Sequence, residues 1–294
     1  MSKALLERNL FELIRRTSTD LPRDVERALK QALKREESGT HAKWCLDKML
    51  ETVAVSRSGN LPLCQDTGTL IFQFRVPTGC DTNALAAATR NAVSRATRMG
   101  FLRENTVDSV TGAAYATNIA PGAPQMIFIQ GARKTIEVRL MMKGGGSENV
   151  SKQYSLPDEK LGAGRDLAGV RSCVVDAVLQ AQGRGCAPGI IGVGIGGDRV
   201  SGMAYAKKQL FRRLDDRSPV HALAKLEDQL TKELNGLDIG PMGLGGATTV
   251  LGVKIGALSR LPASFFVAIS YMCWSLRRRG MLLGPEGGRL RWLY

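Results

Sequence analysis

Apolar residues in the first sixty positions return at helical spacing. Leu6, Leu10, Leu13 and Ile14 fall on one face, and Val25, Leu29 and Leu33 repeat every fourth residue after a break at 17–22. A third segment, 41–55, places Trp44, Met49 and Val53 on a common stripe and predicts another helix packed on a core. The pattern changes after Gly59. Leu70, Phe72, Phe74 and Val76 alternate with Thr69, Ile71, Gln73 and Arg75, which is the two-residue period of a strand.

A helix is predicted over 83–99, then two strands over 125–130 and 135–142, separated by the turn-forming 131–134 and ending in Gly144-Gly145-Gly146-Ser147. Leu167, Val170, Val174 and Val178 define a further helix leading to Cys186, followed by a glycine-rich apolar strand over 190–195. The segment 220–234 reads as a helix stopped by Asn235-Gly236. A glycine loop over 240–246, a strand over 248–255 and an apolar run over 265–272 complete the pattern. Helices and strands alternate without repeats or low-complexity linkers. The expected fold is mixed α/β in one domain, 1–294, with a helical amino-terminal part at about 1–58.

Composition narrows the class. A chain of 294 residues, 44% hydrophobic and 23% charged, can bury a proper core. No apolar run reaches the ~18–20 residues that span a bilayer, and 1–16 lacks the core of a signal peptide. The expectation is a cytoplasmic protein without membrane contact. The net charge of +14 gathers in Lys207-Lys208, Arg212-Arg213 and Arg277-Arg278-Arg279, read as solvated faces or a surface for an acidic partner. With 5% aromatic residues and no aromatic ladder among the basic clusters, nucleic acid is disfavoured as a partner. A basic RNA-binding or scaffold protein is the reading from a different class.

Six cysteines, at 45, 64, 80, 173, 186 and 273, show no C-x-x-C spacing and are expected as thiols. Three glycine-rich or polar turns carry candidate chemistry. Cys64-Gln65-Asp66-Thr67-Gly68 precedes a strand; it suits a metal-held substrate needing an amide and a carboxylate, and equally a plain turn with a buried cysteine. In Lys143-Gly144-Gly145-Gly146-Ser147-Glu148-Asn149 the glycines allow close backbone approach to an anion, although the P-loop Gly-Lys-Ser/Thr is missing. Cys186-Ala187-Pro188 precedes Gly192-Val193-Gly194-Ile195-Gly196-Gly197, which departs from the dinucleotide fingerprint and reads as strand continuing rather than a turn opening a helix.

Taken in order with Asp238-Ile239-Gly240-Pro241, these motifs resemble the iron-dependent hydro-lyases, class I fumarases and L(+)-tartrate dehydratase, from about Leu5 to Arg279. The resemblance is to the α subunit of two-subunit members, or the amino-terminal half of single-chain ones. It implies a [4Fe–4S] cluster on Cys64, Cys186 and Cys273, with one iron lacking a protein ligand and open to substrate. It further implies substrate contacts from Gln65, Asp66, Arg103 and the Gly145 N–H, with Asp66 assisting proton transfer and Arg103 gripping a carboxylate. The substrate would be a small dicarboxylate: fumarate, reversibly hydrated to (S)-malate, with tartrate dehydration as the alternative. The loop ending Ser147-Glu148-Asn149 looks like the fumarase version. The catalytic base would come from a β subunit, in an α2β2 assembly. Relatives carry Arg-His-Pro before the third cysteine; here the run is Arg260-Leu261-Pro262, so that histidine's role is absent or supplied otherwise.

Overall fold

The structure, a computed structural model, describes residues 2–294. Its backbone is α/β, and the chain clusters into two compact units interleaved in sequence. The first comprises Met1–Arg23, Glu51–Gly145 and Ser275–Tyr294; the second, Asp24–Leu50 and Gly146–Trp274.

In the first unit, helix α1 (Lys3–Thr19) and helix α4 (Thr82–Arg98) pack with a sheet of five strands: β1 (Thr69–Pro77), β2 (Gln125–Gly131), β3 (Ile136–Lys143), β8 (Arg277–Leu283) and β9 (Arg289–Trp292). The order is β2-β1-β3-β8-β9. Strand β1 runs parallel to β2 and antiparallel to β3, so the two predicted strands flanking 131–134 are separated by β1 and do not pair as a hairpin. Leu70, Phe72, Phe74 and Val76 enter the core with Leu6, Leu10, Leu13 and Ile14, as their periods require. Phe72 and Phe74, then Phe74 and Phe128, stack at 6.0 and 4.9 Å between centroids. The Asp81 carboxylate caps α4 by accepting the Ala84 N–H at 3.0 Å.

The second unit holds helix α2 (Arg23–Arg35), which begins at the boundary residue, and the first turns of helix α3 (His41–Gly59), which runs on into the first unit. Its sheet has the order β4-β7-β5-β6, from β4 (Lys152–Ser155), β5 (Gly189–Ile195), β6 (Val250–Ala257) and β7 (Phe266–Met272). Along β5, Ile191, Val193 and Ile195 join the core under helices α6 (Leu167–Ala181) and α8 (His221–Asn235). The alternate Gly192 and Gly194 meet helix α7 (Arg199–Gln209), where an added Cβ would stand 2.3 and 2.4 Å from the carbonyls of Ala206 and Gly202. Glycine is therefore needed for close helix–strand packing and not for a phosphate.

Three expectations are corrected. A helix does follow the glycine-rich strand, because Gly196 and Gly197 turn the chain at positive φ and Asp198 caps α7 in a capping box. That carboxylate already occupies the helix start, which suits no phosphate. Trp44 is 60% exposed; α3 buries Cys45, Leu46, Met49 and Val53 instead. Arg277 and Arg278 are each 1% exposed inside β8, so this basic triplet is no surface patch. The other clusters are paired too: Lys207 with Glu148, Arg212 with Glu227 and Asp216, Arg213 with Asp215. Among the described residues no helix is long and apolar enough to cross a membrane.

Candidate functional site

At one end of the first unit's sheet, the segment 60–68 carries the chain from α3 into β1. The Leu63 N–H donates to the Ser18 carbonyl at 2.9 Å, and Thr67 Oγ1 accepts the Arg103 N–H at 3.2 Å. Gly68, at φ +74°, lies so close to the end of β3 that a Cβ would stand 2.5 Å from the Lys143 carbonyl. These restraints place Asp66 over the glycine run. Its Oδ2 accepts the Gly145 N–H at 2.7 Å and its Oδ1 accepts from Asn105 Nδ2 at 3.2 Å, while its main-chain carbonyl accepts from Arg277 Nη2 at 2.8 Å. A side chain at Gly144 would bring its Cβ within 2.8 Å of Oδ2, so the consecutive glycines serve a close approach to the Asp66 carboxylate. The expected turn is in fact the start of a short helix, α5 (Gly145–Asn149).

Asn118 organises the segment bearing Arg103 and Asn105. Its oxygen accepts the N–H groups of Asn105 and Thr106, both at 3.0 Å, and its amide donates to the Arg103 carbonyl at 2.7 Å. A cavity of about 370 Å³ opens here, with Asp66, Thr67, Asn105, Asn118 and Gly145 in its wall. That volume suits a small ligand. Gln65 and the Arg103 side chain are exposed, and Cys64 and Asp66 are half-buried. Of the predicted residues, Asp66 and Gly145 meet and line this cavity, whereas Cys64, Gln65 and Arg103 lie on the adjoining loops and are not among its lining residues.

The second unit brings Cys186 and Cys273 together. Cys186 closes the 3-10 turn Gln182–Gly185 at φ +56°, and Cys273 directly follows β7. The Trp274 N–H donates to the Cys186 carbonyl at 3.2 Å. Tyr271 lies beneath: its ring fills the space where a Cβ at Gly185 or Gly189 would stand 2.4 or 2.5 Å away. The Tyr271 hydroxyl is buried and has no partner among the described residues. Burial raises its pKa first, and the neighbouring thiols of Cys273 and Cys186 add to the rise. A buried donor left unsatisfied costs about 1–3 kcal/mol.

All six cysteines are thiols. Burial, with Asp158 and Asp176, pushes Cys173 up to about 12, which makes it an inert core residue. Among the described residues no three His, Cys, Asp or Glu side chains group as ligands of a single metal ion. Within the second unit the thiols of Cys186 and Cys273 are the donor type that an iron–sulfur group takes. Leu261 is 73% exposed in the turn after β6, where the Arg260 guanidinium donates to the carbonyls of Leu261, Pro262 and Ser264. Asn105, Tyr271 and Arg277 escaped the sequence reading. For Arg277 a signal existed: three arginines inside an otherwise apolar stretch from Tyr271 to Leu283.

The sequence matches the fumarate hydratase (fumerase) family over residues 7–281. A protein of Geobacillus stearothermophilus named as a class I fumarate hydratase is 46% identical over 293 residues, which are 98% of this chain and 57% of that protein. A protein of Methanocaldococcus jannaschii named as an L(+)-tartrate dehydratase subunit alpha is 32% identical over 92% of this chain and 94% of its own length. The Escherichia coli K12 protein of the same name is 32% identical over 90% of this chain and 86% of its own. The chain belongs to the fumarate hydratase (fumerase) family. It spans little more than half of the Geobacillus relative and nearly all of the alpha subunits.

Proposed function

We propose that this chain is the cluster-bearing part of an iron–sulfur hydro-lyase that reversibly hydrates fumarate to (S)-malate. The observation that carries this is Asp66, held by Gly145 and Asn105 beside Cys64 at the wall of a small cavity. Cys64, Cys186 and Cys273 are the proposed ligands of a [4Fe–4S] cluster. When bound, its one iron without a protein ligand supplies a Lewis acid for the substrate hydroxyl. The chain's own residues do the rest. The Gly145 N–H and Asn105 fix both carboxylate oxygens of Asp66, so that the group assisting proton transfer is already oriented. Arg103 grips a substrate carboxylate through its planar fork, and Gln65 adds a hydrogen bond to the substrate. A second substrate carboxylate competes with Asp66 for the Gly145 N–H.

The catalytic base, by this reading, comes from a β subunit, in an α2β2 assembly; the alpha-subunit names of the two tartrate dehydratase relatives support a partner. Reduced thiols as ligands agree with a cytoplasmic location. Fumarate is preferred to tartrate because the fumarate-named relative is 46% identical and the tartrate-named ones 32%. The match in length to the tartrate dehydratase alpha subunits favours the second reading, dehydration of L-tartrate to oxaloacetate. The test is turnover of (S)-malate and of L-tartrate by the anaerobically purified protein with its partner. Turnover of malate well above tartrate supports the proposal. The reverse order selects the second reading, and inactivity on both rejects the substrate class.

A further inference from the structure

Strand β8 buries three consecutive arginines in three different settings. Arg279 pairs with Asp20 at 3.0 Å, and the Arg278 guanidinium lies over the Tyr294 ring at 5.2 Å. The guanidinium of Arg277, a residue 1% exposed, makes one hydrogen bond among the described residues, from Nη2 to the Asp66 carbonyl at 2.8 Å. Its Nε and Nη1 have no partner among the described residues. Enclosing an unpaired guanidinium is strongly unfavourable. The nearby acids are committed elsewhere: the Asp66 carboxylate to Gly145 and Asn105, and Asp20 to Arg57 and Arg279. Register sets Arg277 opposite Met142, which itself faces Leu70. The guanidinium therefore lies at the same sheet end as the loop bearing Cys64. Holding a carbonyl needs one N–H and no charge, so the two unpartnered nitrogens and the charge call for an anion.

We infer that Arg277 is the counter-charge of the anionic iron–sulfur group attached at Cys64, its two unpartnered nitrogens, Nε and Nη1, being reserved for that group. This rests on the reading of Cys64 as a cluster ligand. Arg277 is a positioning and charge-balancing residue, and the same chemistry could serve a substrate carboxylate; the experiment separates the two.

Arg277→Gln and Arg277→Lys are compared with wild type in the anaerobically purified holoenzyme and in the same preparation stripped of iron by a chelator. Stripped Arg277→Gln melts at or above stripped wild type, because an unpaired buried charge has gone. Loaded Arg277→Gln releases iron to the chelator about tenfold faster, the size of effect a charged hydrogen bond carries. Its cluster potential moves negative, since a positive charge favouring the reduced form is lost, and Arg277→Lys recovers most of the retention. Lower melting of both stripped and loaded Arg277→Gln assigns a purely structural role and overturns the inference. So does unchanged iron release with weakened malate binding, which assigns Arg277 to the substrate. A wild type that takes up no iron overturns the cluster reading and this inference together; a loaded wild type matched by Arg277→Gln in release and potential overturns this inference alone.

Discussion

The Gly145 backbone N–H donates to Asp66 Oδ2 at 2.7 Å, joining segments 79 residues apart in sequence at one end of a single sheet. Gly144, without a side chain, makes room for that contact. Replacing Asp66 by Asn preserves shape but sets an amide where a carboxylate is needed. We expect kcat to fall by about 100-fold or more, with iron content and melting temperature near wild type. Gly144→Ala, whose Cβ would meet Oδ2 at 2.8 Å, should lower kcat by displacing the same carboxylate. Steady-state kinetics beside a thermal melt distinguish both from misfolding.

In the second unit, the buried Glu227 carboxylate accepts from Arg212 and from the Ile255 N–H, both at 2.7 Å, and from the Ser218 N–H at 3.2 Å. Removing one partner of a buried ion pair strands the other. Glu227→Ala should destabilise the protein by about 3–5 kcal/mol, measured by urea unfolding. A loss below about 1 kcal/mol, the range of a surface pair, would show that the network is solvated.

Much of the architecture was legible because burial follows period. The apolar faces read for helix α1 and strand β1 are the ones in the core, although β1 also buries Ile71 and Gln73 on its other face. Helix α7 was missed because its buried positions are Gly202, Ala206 and Gln209, small or polar residues that leave no apolar stripe. Strand β8 was missed because it begins with three arginines, which propensity assigns to the surface. Trp44 misled for the opposite reason, an aromatic ring at helical spacing that faces outward. At the site, the Cys64 loop, the glycine run and Cys186 stood out as turns with chemistry. The Asn105 and Arg277 contacts to Asp66 are long-range in sequence, and no local pattern announces them.

Acid titration offers a separate check on α1. Hydrogen bonds from Arg15 outweigh burial, and with those of Arg16 they lower the Glu12 carboxyl to about 2. The unfolded carboxyl titrates near ~4.3. A depressed folded value means that the stabilisation is complete above the unfolded pKa and is lost as pH falls through the folded one. Glu12→Gln should therefore melt below wild type at neutral pH, with the gap closing between about pH 4.3 and pH 2. A gap that stays constant over this range would contradict the ion-pair assignment.

The central claim is that Cys64, Cys186 and Cys273 together hold an iron–sulfur cluster. Its most direct test is the iron and acid-labile sulfide content of the anaerobically purified protein, wild type against single cysteine-to-serine variants. The account predicts about four irons and four sulfides per chain in wild type and in Cys173→Ser, and near-complete loss in Cys64→Ser, Cys186→Ser and Cys273→Ser. A wild type free of iron yet active, or full iron content in any of those three variants, would contradict it.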